Sequence, residues 1–270
     1  MVNITEALNN IKILDEIAEK RTVIHDLNPL SKVLTTLIYL IVIISFDKYQ
    51  ISGLLSFIFY PIIIIALADI PYMLLLKRVL IGLPFIIGVG IFNPFLDRDI
   101  LVNLPWFQLS GGWISFLSLM LKGGLTIIAA LMLIATTGMT RVAVALQMMR
   151  VPRIFIMQLL FTYRYIFVLI EEAGRIMRGY SLRSVNKNGI RSVDWGSVIG
   201  QLLLRTLERA QRIYEAMCCR GFTGEFMVTN IKKVEVKDVL YFVGWSVYFI
   251  MIRYFNITAK LGLFLTGVMK

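Results

Sequence analysis

KGGLTIIAALMLIATTGMTR, residues 122–141, decides what kind of protein this is. Lys122 and Arg141 bracket a run without a single charge. Nineteen helical steps separate the two cations, about 28 Å at ~1.5 Å per residue, against a hydrocarbon core about 30 Å thick. The spacing predicts a membrane-crossing helix over Gly123 to Thr140, with Lys122 and Arg141 snorkelling to opposite interfaces. Trp113 to Leu121 would then lie at the outer surface.

Working outward, similar blocks recur. Asn28-Pro29 is a helix-start signal, a capping side chain followed by proline at the first helical position. The apolar run it opens extends to Phe46 and closes at Asp47 and Lys48. A second block covers Ile51 to Ala68, a third Val79 to Phe95 with Pro84 and Pro94, and a last one Val239 to Phe255. Residues 97–112 read as a polar and aromatic loop. The composition agrees with a bilayer protein: 58% hydrophobic, 17% charged, mean hydropathy +0.76, where soluble domains carry about 25% charge. The fold class expected is all-α and polytopic, with about five transmembrane helices and cytoplasmic amphipathic helices. The polar start, Met1 to Arg21, does not have the pattern of a cleavable signal peptide.

The net charge of +11 is distributed unevenly. Lys12, Lys20, Arg21 and Lys32 precede or open the first block. Lys77 and Arg78 lie between the second and third. Arg141, Arg150 and Arg153 follow the fourth. The opposite turns carry Asp47, Lys48, Asp97, Arg98 and Asp99. Lysine and arginine concentrate on the cytoplasmic side, so the N-terminus and the segment after Thr140 are placed there. Residues 154–170 (IFIMQLLFTYRYIFVLI) look like another span. Crossing would put the arginine-rich stretch 171–235 outside, and Arg164 interrupts the run. The expectation is that 154–170 lies under or in the inner leaflet. Four parts follow: 1–28, a cytoplasmic N-terminal segment; 29–140, a four-helix membrane region; 141–235, a cytoplasmic helical region; and 236–270, the last span and C-terminus.

Within the cytoplasmic part, a helix is predicted from Pro152 to Arg178. Arg164, Glu171, Arg175 and Arg178 share a face at steps of seven, four and three, and Glu171 can pair with Arg175. Arg164 calls for a partner, with Glu171 and Glu172 as candidates. A second helix is predicted from Gly196 to Arg220, with a seam of Ile199, Leu203, Thr206, Ala210, Ile213 and Met217. Arg205, Glu208, Arg209, Arg212 and Glu215 take its other faces. Both helices are expected to end alike: Arg178-Gly179-Tyr180 and Arg220-Gly221-Phe222 place arginine in the last turn, glycine at the cap and an aromatic beyond. Such tips suit an acidic groove on a partner.

These two endings, Met177-Arg178-Gly179 and Cys219-Arg220-Gly221, resemble the paired Ala-Arg-Gly-like motifs of the transmembrane T component of energy-coupling factor transporters, especially the cobalt or nickel type. Both depart from the pattern at the alanine. The segments HDLNPLSK (25–32), Thr136-Thr137, Val151-Pro152, Tyr163-Arg164-Tyr165 and RAQRIYEAMCCRGF (209–222) carry the same resemblance, over about residues 14–226. It implies that Arg178, Gly179, Arg220 and Gly221 couple to ATPases, supported by Arg164, Glu171, Arg175, Tyr180, Arg212, Glu215, Ala216 and Phe222. The partners implied are two ATP-binding-cassette ATPase subunits and a small substrate-binding membrane subunit, in a prokaryotic plasma membrane. The chain itself would neither hydrolyse ATP nor need a cofactor or metal ion. A vitamin transporter of the same class stays open as the alternative substrate reading.

The other classes are weaker. There is no GxxxxGK[ST] phosphate loop. One histidine, His25, and one adjacent pair, Cys218-Cys219, do not make a metal site or a histidine-based catalytic set. Glu171-Glu172 is the best carboxylate pair for a membrane enzyme, and arginines surround it. A stand-alone channel or secondary transporter would place ionisable groups mid-membrane, where these blocks have almost none. Nucleic acid is not an expected partner, since the cations flank apolar blocks. Gly82, Gly88, Gly90 and Gly123-Gly124 fit close helix contact, within the chain or with a partner. Asn256-Ile257-Thr258 is read as a chance sequon.

Overall fold

The computed structural model describes residues 15–48, 50–96, 100–104, 107–183, 191–222, 224 and 233–255. The polar start at 1–14 and the Asn256 sequon lie outside them. The described residues fall into two compact units, one within Asp15–Gly138 together with Lys232–Lys270, the other within Met139–Ile231. Among the described residues the regular structure is helical except for one two-stranded hairpin.

The first unit opens with α1, Pro29–Ile44, capped as its sequence demands: Asn28 Oδ1 accepts from the Leu30 N–H and proline takes the first position. The apolar block after it forms two helices, α2 Ile51–Ser56 and α3 Phe59–Leu67, instead of one span. Pro61 is the reason. It has no N–H for the Phe57 carbonyl four residues earlier. That carbonyl accepts instead from the Tyr39 hydroxyl at 3.1 Å, and the neighbouring Ser56 carbonyl from Tyr248 at 3.0 Å. A broken helix is tolerated at membrane depth when side chains take over the freed groups.

Helix α4 runs Tyr72–Gly90 with Pro84 inside, so it starts seven residues before the expected Val79. Lys77 and Arg78 therefore sit on its early turns. The run YMLLL before them is apolar and unbroken, and long cationic stems reach the interface from within a helix. A short α5, Asn93–Leu96, leads to strands β1, Ile100–Leu104, and β2, Phe107–Ser110, paired antiparallel. A hairpin therefore occupies much of the expected 97–112 loop. Helix α6 follows at once, Gly111–Thr137, 27 residues. Trp113 to Leu121 are its first turns, not a separate surface segment, because nothing in WISFLSLML interrupts a helix and Ser115 and Ser118 are buried. The last described helix of the unit, α10, is Val236–Phe255.

Tyr39, Phe57, Tyr60 and Phe249 are each at most 1% exposed. Their rings lie 4.8 to 5.8 Å apart and join α1, the break between α2 and α3, α3 and α10. Two cations meet the end of α1. Lys122 Nζ donates to the carbonyls of Phe46 (2.5 Å) and Asp47 (3.4 Å), and Arg253 donates to the Ser45 carbonyl (3.0 Å) while lying 4.7 Å over the Phe46 ring. Cations are favoured there by the helix dipole. Helices α4 and α6 approach closely at glycines: a Cβ on Gly123 would stand 2.6 Å from Ile86, and one on Gly82 2.6 Å from Ile127. Gly88 and Gly124 face open space.

Helices α4 and α6 are long and apolar enough to cross a membrane, and α1 and Ile51–Leu67 are shorter apolar stretches. This is a multi-pass membrane protein. The second unit holds α7, Met139–Met148, α8, Arg153–Arg183, and α9, Trp195–Cys219. Between α7 and α8, Arg150 takes the left-handed conformation (φ 63°) and the Val151 N–H bonds the Leu146 carbonyl at 3.2 Å.

Candidate functional site

The site expected from the sequence lies on α8 and α9 of the second unit. Helix α8 is 31 residues long, and by length and composition it too could cross a membrane, with 6% of its apolar window buried. Helix α9 packs along it and has no fully buried residue.

Glu172 clips the pair together. Its Oε1 accepts from Arg205 at 2.7 Å across the helices, and its Oε2 meets Arg175 at 3.1 Å. The Arg205 hydrogen bond, opposed by partial burial and aided by the charges of Arg175 and Arg209, holds the Glu172 carboxyl below the usual glutamate range. Arg175 thus pairs with Glu172 at i,i+3 and not with Glu171, whose side chain is exposed. Only Glu172 turns toward both α9 and Arg175. Beyond the clip, Tyr180 donates to Asp194 Oδ2 at 2.6 Å, and Arg191 Nε donates to the same oxygen at 2.9 Å. First Arg191 and then Tyr180 lower the Asp194 carboxyl.

The two Arg-Gly motifs differ in structure. At α9 the expectation holds in detail. Arg220 is the cap residue, Gly221 has φ +80°, the Gly221 N–H bonds the Cys218 carbonyl, and the Phe222 N–H bonds the Met217 carbonyl, both at 3.0 Å. This is a Schellman ending, which favours glycine at its left-handed position. Phe222 and Met217 also line one groove together. At α8 the helix does not stop at Gly179 but continues to Arg183. A glycine inside a helix costs roughly 1 kcal/mol, and the following turn has compensation: Tyr180 is tied to Asp194, and the Ser181 hydroxyl donates to the Arg178 carbonyl at 2.9 Å. Arg178 and Arg220 are both exposed.

The remaining residues are placed as follows. Arg164 is exposed and makes no ion pair among the described residues; it lines an apolar cavity of about 580 Å³ with Tyr163 and Phe167. Glu171 and Glu172 lie seven and eight residues on, a rise of more than ~10 Å along the helix, and Glu172 is engaged elsewhere. Arg212 reaches Glu208 at 3.8 Å, while Glu215 and Ala216 are exposed. The α9 seam is covered at Thr206, Ile213 and Met217, but in its first turns at Val198 and Leu202, not Ile199 and Leu203. Between the helices lies a groove of about 650 Å³, walled by Met157, Phe161, Tyr165, Ile213 and Tyr214. Cys218 and Cys219 are free and exposed. No cluster of three His, Cys, Asp or Glu able to hold a metal ion occurs among the described residues.

The Glu172–Arg205 clip was not legible beforehand. Glu172 is three residues from Arg175, but Arg205 is 33 residues away and enters only when α9 folds back.

The fold and the site define the class as a polytopic helical membrane protein with two packed, arginine-bearing amphipathic helices. The chain belongs to the cobalt transport protein family CbiQ, whose model matches residues 20–231. It is 32% identical to the cobalt transport protein CbiQ of Rhodobacter capsulatus over 111 residues, 40% of this chain and 45% of that protein. It is 22% identical to the energy-coupling factor transporter transmembrane protein EcfT of Bacillus subtilis over 234 residues, 79% of this chain and 85% of that protein. An uncharacterised protein of Methanocaldococcus jannaschii is 27% identical over 221 residues, 78% of this chain and 75% of that protein. This is the family to which the sequence motifs point.

Proposed function

We propose that this chain is the transmembrane coupling subunit of an energy-coupling factor importer for cobalt or nickel ions. Two partner ATPases hydrolyse ATP, and a small membrane subunit binds the substrate. The observation that carries the reading is the α9 terminus, where a Schellman ending presents exposed Arg220 beside Phe222. Arg178, exposed near the far end of α8, is the second docking element. The Glu172–Arg205 clip makes α8 and α9 one lever, so a push on either tip moves both. Such a lever works by hinge or shear motion between two nucleotide states. Family membership and the relatives' names support metal transport as the task.

The arrangement in the membrane belongs to the same reading. Residues 154–170 lie at the inner leaflet without crossing, which keeps the N-terminus and 141–235 cytoplasmic, in keeping with their excess of lysine and arginine.

The test is co-purification from detergent with candidate ATP-binding-cassette subunits, comparing wild type with Arg178→Ala plus Arg220→Ala. Retention of an ATPase pair by wild type, and its loss from a folded double variant, is the expected result. If wild type retains no ATPase, the coupling-subunit reading fails.

A further inference from the structure

Lys32 and Asp238 are the only lysine, arginine, aspartate or glutamate side chains buried among the described residues, at 2% and 0% exposure. They belong to one knot in the first unit. Lys32 Nζ donates to the Thr136 carbonyl at 2.9 Å and to the His25 carbonyl at 3.2 Å. Asp238 Oδ1 accepts from the Asn28 N–H at 2.7 Å, and Oδ2 from the Glu235 N–H at 2.8 Å. Asn28, itself fully buried, caps α1. Thr22 Oγ1 lies 2.7 Å from His25 Nδ1. The knot therefore fixes three helix ends: the start of α1, the start of α10 and the last turn of α6.

The end of α6 is the notable one. Gly138 closes it in the left-handed conformation (φ +73°), and a Cβ there would meet Ala18 at 3.2 Å. Met139, the next residue, begins the second unit. So the carbonyl that Lys32 grips lies two residues before one of the chain junctions between the two units, the one that leads from α6 into α7. A buried ammonium is costly unless it is fully hydrogen-bonded. Here its contacts favour an intact last turn of α6, where a cation also suits the helix dipole. Without it, a pull on the junction can be absorbed by fraying that turn.

We infer that Lys32 is a positioning residue of the transport cycle, clamping the last turn of α6 so that movement at the Gly138–Met139 junction is delivered to α1, α6 and α10 together. This rests on the coupling-subunit reading.

The test uses the assembled transporter in proteoliposomes, with wild type, Lys32→Met, Lys32→Arg and, as a control, Lys122→Met, whose lysine holds the opposite end of α1. ATP hydrolysis and cobalt(II) or nickel(II) uptake are measured per assembled complex. Lys32→Met keeps most of its hydrolysis while uptake per ATP falls about tenfold, within the range of ordinary coupling energies. Lys32→Arg recovers part of the ratio, and Lys122→Met leaves it unchanged. Hydrogen exchange of amides 134–138 gives a second readout, independent of the substrate carried. In Lys32→Met it accelerates during ATP turnover and not in its absence. The inference is overturned if uptake and hydrolysis fall in parallel, if neither changes, or if exchange rises equally with and without ATP. Should Lys32→Met fail to assemble, Lys32→Gln, which keeps an N–H donor, is read in the same two assays. A wild-type chain that assembles with no ATPase overturns the coupling-subunit reading itself, and this inference with it.

Discussion

Arg205 of α9 donates to Glu172 of α8 at 2.7 Å, and this contact joins the two helices beside an apolar groove, with Tyr180 of α8 tied to Asp194 at the start of α9. Arg205 is about half exposed, at 55%, so solvent screens the pair. A double-mutant cycle with Glu172→Gln and Arg205→Gln is expected to give a coupling of about 0.5 to 1 kcal/mol. The sign with pH follows from the depressed carboxyl. Its contribution is present above the ordinary glutamate value of about 4.3 and is lost as pH falls through the lower folded-state value. Thermal unfolding between about pH 3 and 6 should show that loss in wild type and not in Glu172→Gln.

Gly179 and Gly221 should respond oppositely to alanine. Gly221 is left-handed at a helix end, so Gly221→Ala is expected to cost roughly 1 to 2 kcal/mol. Gly179 lies inside α8 with open space around its Cβ position. Gly179→Ala should stabilise by about 0.5 to 1 kcal/mol. Melting temperatures in detergent decide the matter. Equal destabilisation by both would mean that α8 ends at Gly179 after all.

Gly123 and Gly124 make a similar contrast inside the membrane. A Cβ on Gly123 would stand within 3.2 Å of three Ile86 side-chain atoms, so the whole side chain must move. Gly123→Ala is expected to destabilise by about 1 to 3 kcal/mol, as over-packed cores do. Gly124→Ala meets nothing and should be neutral or slightly stabilising.

Cys218 and Cys219 are the only cysteines and are exposed. In the proposed topology, a membrane-impermeant maleimide labels them in inside-out vesicles and not in intact cells. Labelling from outside would mean that 154–170 crosses the bilayer.

The amino-acid sequence by itself determined the membrane class, the cap at Asn28-Pro29, the end of α9 at Arg220-Gly221, and the family. These depend on local terms: long apolar runs, a capping side chain, and a glycine where the backbone turns left-handed. The tertiary structure decided the rest. Ile51 to Ala68 reads as one span, yet it breaks at Phe57, where Pro61 frees a carbonyl that Tyr39 reaches from another helix. Gly179 reads as a cap, yet α8 runs past it because Tyr180 has Asp194 to hold. Arg175 reads as the partner of Glu171, yet it turns to Glu172, which also faces Arg205. Lys32 reads as one more basic residue near the membrane, yet it is buried against Thr136, 104 residues away. At Phe57 the break is local, set by Pro61, and a distant hydroxyl satisfies the freed carbonyl. In the other three cases the deciding partner lies 14, 33 and 104 residues away, and its hydrogen bond outweighs a local preference of roughly 1 kcal/mol or less.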